Sequence, residues 1–137
     1  MAVLIDSSVL IEAERGRLDI ERHVAMRTDE RFAISVVSAS ELLHGVHRAA
    51  SPAIAARRSE YVEAIISRFP IVTIDLPTAR MHALVLARLR SAGVTVGSHD
   101  LWLAATCLAH GLAIVTADAR EFMRVPDLVV EVWSPTT

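Results

Sequence analysis

Four acidic residues, Asp6, Glu41, Asp100 and Asp118, each stand where an apolar strand-like run ends or a helix-like run begins. Their settings are Ala2-Val-Leu-Ile-Asp6-Ser-Ser, Ser38-Ala-Ser-Glu41-Leu-Leu, Gly97-Ser-His-Asp100-Leu-Trp-Leu-Ala-Ala and Ala113-Ile-Val-Thr116-Ala-Asp118. If the strands run parallel in one sheet, the four carboxylates gather along one edge, where open parallel sheets bind their ligands. Clustered carboxylates repel one another, and a divalent cation among them relieves the repulsion. Mg²⁺ or Mn²⁺ suits such a site, because hard cations take oxygen ligands and Mg²⁺ keeps several of its waters. An ion held there lowers the pKa of water and stabilises charge on a phosphodiester. Without it, the same acids would repel a phosphate backbone. Metal and nucleic acid therefore belong to one expectation, a metal-dependent nuclease with Asp6, Glu41, Asp100 and Asp118 as ligands and catalytic groups.

Each acid also has a structural explanation. Asp6 is placed to cap a helix starting at Ser7, and Ser38 to Glu41 has the spacing of a capping box. Asp118 and Glu121 nearly repeat that spacing. Asp100, two residues after a Ser98 cap, would favour the positive end of a helix. Other chemistries fit poorly. Five glycines leave no phosphate-cradling loop and no dinucleotide fingerprint. An aspartyl-phosphate enzyme would want a second Asp where Ser8 stands, and a receiver domain would need a Lys, of which there is none. Ser7, Ser8 and Ser38 carry no nucleophile pattern, which leaves capping or support of a metal site. His44 and His47 share a helix face, but His-x-x-His without further ligands is a weak zinc signal. For His99 a surface or capping position is expected, with the pocket rim beside Asp100 as the alternative, and Trp102 is expected in partial core packing.

The elements that position these groups follow from periodicity. Five short β-type runs are expected at Ala2–Ile5, Phe32–Val37, Ile71–Ile74, Ala113–Thr116 and Val129–Trp133, with helical spacing between them. The helical stripes include Leu42, Leu43 and Val46; Tyr61, Ile65, Ile66 and Phe69; and Met81, Leu84, Val85 and Leu89. Leu101, Leu103, Ala104, Cys107 and Leu108 mark the most apolar helix. Strands alternating with helices predict an α/β fold with a mostly parallel sheet of about five strands, covered on both faces. Pro52 and Pro77 suit first helical turns, and Gly93 and Gly111 suit helix ends. The tail from Ser134 to Thr137 is expected to fray.

Composition bounds the rest. A chain of 137 residues, 53% hydrophobic, predicts a single domain over residues 1–137 with a core large enough to need no disulfide. The lone Cys107 is expected to pack as a small apolar residue. No apolar run is long enough to span a bilayer. The first one ends at Asp6, so neither a membrane role nor a secretory signal is expected, and the cytoplasm is the expected compartment. Net charge is −2, so nucleic acid is not announced by bulk charge. All 14 basic residues are Arg, which grips phosphate through a planar fork. Arg57 and Arg58, Arg80, Arg88 and Arg90, and Arg120 and Arg124 are candidates for phosphate contacts, against the plainer reading of solvated helix faces.

At these residues the chain resembles a known family. Leu4-Ile-Asp6-Ser-Ser8-Val-Leu-Ile, Ser38-Ala-Ser-Glu41-Leu-Leu-His-Gly45, Asp100-Leu-Trp-Leu-Ala-Ala-Thr and Thr116-Ala-Asp118-Ala-Arg120-Glu121-Phe122 are similar to the four motifs of PIN-domain ribonucleases. The nearest branch is VapC, the toxin of a toxin–antitoxin pair. The likeness runs from Leu4 to about Val132. It implies a three-layer αβα sandwich with the four acids as the metal site and Ser8 and Thr116 supporting it. It also implies Mg²⁺- or Mn²⁺-dependent endoribonuclease cleavage, often of structured RNA such as transfer RNA. The implied partners are a second copy, forming a homodimer, and a VapB-like antitoxin, together building a higher toxin–antitoxin complex. Related toxins often read Thr-x-Asn-x-x-Asp-Phe in the fourth motif. Here Asp118 takes the Asn position and Glu121 the Asp position, so either acid, or both, completes the site. The competing expectation is a catalytically inactive PIN-like module that binds RNA or protein without cutting.

Overall fold

The computed structural model describes residues 2–135. The last two residues of the tail expected to fray, Thr136 and Thr137, lie outside them. Five parallel strands form one sheet: β1 (Ala2–Ile5), β2 (Arg31–Ser35), β3 (Ile71–Val72), β4 (Ala113–Thr116) and β5 (Val130–Val132), in the order β3-β2-β1-β4-β5. The helices are α1 (Ser7–Glu14), α2 (Ile20–Ala25), α3 (Val36–His47), α4 (Pro52–Arg68), α5 (Leu76–Ser91) and α6 (Ser98–His110), with a 3₁₀ turn at Phe122–Arg124. This is the expected three-layer α/β sandwich.

Alternation along the central strands divides the core into two layers. Val3 and Ile5 of β1 join Val115 of β4, Leu10 of α1, Leu42 of α3 and Val62 of α4 on one face. Leu4 and Ile114 point the other way, onto Leu89 of α5 and Leu103, Ala104 and Cys107 of α6. Both faces are covered, which is why β1 and β4 read as unbroken apolar runs. Among the described residues no helix is long and apolar enough to cross a membrane.

Strand β1 sits at the centre because the chain first winds outward through β2 to β3, then returns to add β4 and β5 on its other side. The crevice at the carboxyl ends of β1 and β4 is therefore the point where the winding reverses, the preferred ligand position in sheets of this kind. Strands β1 and β4 coincide with their expected bounds. The run Phe32–Val37 does not hold as a strand, because Ser35 turns the chain. Its Oγ accepts the N–H of Val37 at 3.0 Å, and α3 begins at Val36. That cap also removes the capping box expected from Ser38 to Glu41, since Ser38 already lies inside the helix. Strand β3 stops at Val72, and Asp75 then caps α5 by accepting the N–H of Thr78. Strand β5 is trimmed to Val130–Val132. Gly97, not Ser98, occupies the cap position of α6, with Ser98 as its first residue. Pro52 and Pro77 sit in first helical turns, and Gly111 ends α6 with φ +66°, a left-handed conformation that glycine adopts without steric cost. The short α2, capped by Asp19, carries too few residues to show a period.

Candidate active site

Asp6 leaves β1 at the cap position of α1, but its side chain makes no capping bond. The carboxylate turns instead toward the end of β4. Its Oδ2 accepts from Ser8 Oγ at 2.6 Å and from Thr116 Oγ1 at 2.9 Å. These hydroxyls are themselves held, Ser8 Oγ by the N–H of Ala117 and Thr116 Oγ1 by the N–H of Asp118, both at 3.0 Å. Asp6 is buried, and burial pushes its pKa above the ordinary carboxylate value against the two hydroxyl bonds; Glu41 adds to the rise.

Glu41 reaches the same place from the middle of α3. Its Oε2 accepts from the buried Ser7 Oγ at 2.9 Å and lies 3.6 Å from His99 Nδ1. Asp100 arrives in the first turn of α6. Its pKa is pushed up to about 6, first by desolvation and then by the charges of Asp6, Glu121 and Glu41, with His99 acting in the opposite sense. Carboxyls that raise one another's proton affinity in a cleft are the mark of a site built for a positive charge.

All four acids singled out from the sequence, Asp6, Glu41, Asp100 and Asp118, line one open pocket of about 500 Å³. Glu121 joins them. Ile11 supplies an apolar wall that no chemical motif announced, and no arginine lines the pocket. The fourth-motif acids behave differently. Asp118 is clamped by the Arg120 guanidinium, Nε to Oδ1 at 2.9 Å and Nη2 to Oδ2 at 2.6 Å, and this exposed pairing lowers its pKa to about 2. Glu121 instead contributes its charge to Asp100.

The donor set is wholly oxygen, which fits Mg²⁺ or Mn²⁺ rather than a softer ion. As the side chains stand, no three His, Cys, Asp or Glu residues among those described form a ready cage. His44 and His47 belong to no such group either. Trp102 is half-buried and stacks on His82 with ring centroids 3.7 Å apart, and Cys107 is buried in the core.

Comparison with known proteins agrees with this geometry. The PIN domain family matches residues 3–128. Ribonuclease VapC4 of Mycobacterium tuberculosis is 37% identical over 127 residues, covering 93% of either chain. The chain belongs to the PIN-domain family, in its VapC branch. A second relative of this PIN domain is the tRNA(fMet)-specific endonuclease VapC of Salmonella typhimurium, 28% identical over 95% of this chain and 96% of that one. Among solved structures, the DNA-bound VapBC of Salmonella typhimurium superposes with a TM-score of 0.87 at 27% identity, covering 97% of this chain and 98% of that one. The PIN sandwich thus accounts for the sheet order and for acids converging from four separate stretches of sequence.

Proposed function

We propose that this protein is the toxin of a toxin–antitoxin pair, an endoribonuclease that needs Mg²⁺ or Mn²⁺ and is held in check by a VapB-like antitoxin. The observation that carries the reading is the convergence of Asp6 after β1, Glu41 in the middle of α3 and Asp100 in the first turn of α6 on one pocket, where burial and neighbouring carboxylates raise the proton affinity of Asp6 and Asp100. The relatives named as ribonucleases, and their assembly with VapB partners, support the activity and the inhibitor. Transfer RNA or another structured RNA is the proposed substrate, and a homodimer within a larger toxin–antitoxin assembly is the proposed state.

Asp6 and Asp100 would hold the ion, with Glu41 beside them and Asp118 or Glu121 completing the acidic wall. When bound, the ion supplies activation of water and stabilisation of charge on the phosphodiester. The chain's own groups fix the geometry. Ser8 and Thr116 hold the Asp6 carboxylate in one orientation by bonding the same oxygen, and Ser7 does the same for Glu41. Preset acids need no rearrangement during the reaction, which is how positioning lowers a barrier. The complete acid set argues against an inactive binding module.

The test is cleavage of total cellular RNA with and without Mg²⁺, followed by mapping of the cut ends. Asp6→Asn and Asp100→Asn are each expected to lower cleavage at least about 100-fold, in line with the loss of one electrostatic catalytic group, with unchanged circular dichroism. Full activity in both variants, or in excess EDTA, would overturn the assignment.

A further inference from the structure

A second groove opens directly off the acidic pocket and is richer in arginine. The two share Ile11 and Glu41 as a common wall. Beyond that wall, between α1, α3 and α4, the lining holds Arg15, Arg48 and Arg58 with Gly45, against one further acid, Glu14. Helix geometry sets the distance: Glu41 and Arg48 lie on one face of α3, so their Cα atoms are roughly 10 Å apart along its axis.

The arginines are placed for an anion from outside the fold. Arg58 is half-buried, and its Nη1 donates to the carbonyl of Gly45 at 3.1 Å, which fixes the guanidinium at the groove. A guanidinium carries five N–H donors, and among the described residues no carboxylate pairs with this one. Arg48, the cap residue just after α3, is exposed and likewise has no carboxylate partner among the described residues. Arg15 keeps only a loose 3.8 Å contact with Glu12. Arg27, Arg68, Arg120 and Arg124 pair with acids of the chain itself, and Arg48 and Arg58 stand apart by lining the groove beside the acidic pocket. An acidic pocket cannot hold a polyanion unaided, and grooves for single-stranded nucleic acid track the backbone with positive charge.

We infer that Arg48 and Arg58 form a phosphate-docking subsite that grips the RNA strand a nucleotide or two from the bond to be cut. The inference rests on the RNA-cleaving reading of the adjacent pocket. The subsite positions substrate without touching the reacting atoms, so it acts on binding more than on turnover. It explains how a chain of net charge −2 engages RNA: the needed charge is local and lies next to the acids.

The experiment compares wild type with Arg48→Ala, Arg58→Ala, the double variant and Arg22→Ala, which is exposed on α2 away from the groove. Binding of a fluorescein-labelled single-stranded RNA of mixed sequence is followed by anisotropy in EDTA across a salt series. Cleavage of the same RNA is followed with Mg²⁺. The double variant is expected to bind about tenfold more weakly and to raise KM to match, with kcat within about twofold of wild type. Its plot of log affinity against log salt should be shallower by about 1.4, corresponding to about 0.7 for each lost phosphate contact on a single strand. Arg22→Ala should match wild type, and melting curves should show all variants folded. If wild type cuts RNA while the double variant shows the same KM and salt slope, the subsite is overturned and the nuclease reading stands. If wild type neither binds nor cuts RNA, the nuclease reading itself has failed. Variants that cut normally but escape a co-expressed antitoxin would make the groove a protein-docking surface and overturn the inference.

Discussion

Asp100 faces charges of its own sign from Asp6, Glu41 and Glu121, with His99 as the one opposing group. Its folded pKa of about 6 lies above the ordinary value of 3.8. A raised acid binds its proton more tightly in the folded state, so its ionisation costs stability as pH rises from about 4 through 6. Asp75 and Asp118 shift the other way, to about 2, so what they contribute is lost only below about pH 4. In EDTA, melting temperature is therefore expected to fall from pH 4 to pH 6.5, and Asp100→Asn should make that fall shallower and raise the value at pH 7. A flat wild-type profile would contradict the charge cluster. Glu121→Gln should move the midpoint of the fall to lower pH, whereas Asp118→Asn should leave it in place, because Arg120 already neutralises Asp118. The sequence marked the four acids through their junctions between apolar runs. Spacing alone leaves Asp118 and Glu121 as alternatives, because side-chain direction in the turn after β4, and the reach of Arg120, leave no trace in it.

At the scale of elements, the informative difference is the start of α3. Val36 and Val37 are β-branched and extend an apolar run, so periodicity carried β2 through them. One hydroxyl decides otherwise, since Ser35 satisfies an N–H of the first turn and bends the chain into helix. The consequence reaches the site: with α3 beginning at Val36, Glu41 lies in the second turn, free of backbone duty and available to the pocket. Ser35→Ala is expected to destabilise the protein by about 1 kcal/mol, the usual cost of losing such a cap, measurable by urea denaturation. The same variant should weaken cleavage more than its stability loss alone explains. Helices opened by Pro52 and Pro77 and closed by Gly111 were legible, because those residues act through their own backbone limits.

For the whole molecule, strand-helix alternation was enough to anticipate a parallel sandwich with ligands at its carboxyl edge. Strand order was not legible, since nothing local tells the chain to return past β1 before laying down β4. That return brings Asp100 and the β4 hydroxyls to Asp6. The acids crowd together at a cost to folding, and an ion that binds only the folded state recovers it by mass action. Mg²⁺ at about 100 times its dissociation constant is expected to stabilise the protein by about 2.7 kcal/mol, seen as a rise in melting temperature that Asp6→Asn loses. An equal rise in the variant would place the ion elsewhere.

Strand β1 also fixes how this protein can be switched off. Val3, Leu4 and Ile5 are 0–1% exposed, and Asp6 follows them directly, with its N–H bonded to the carbonyl of Val115 at 2.8 Å. Amides so deep in a sheet exchange with solvent only when the entire domain comes apart. Asp6 is thus welded to the least yielding part of the scaffold, and local loosening elsewhere does not release it. A cell carrying this enzyme has to stop it from outside, by plugging the mouth or by destroying the protein.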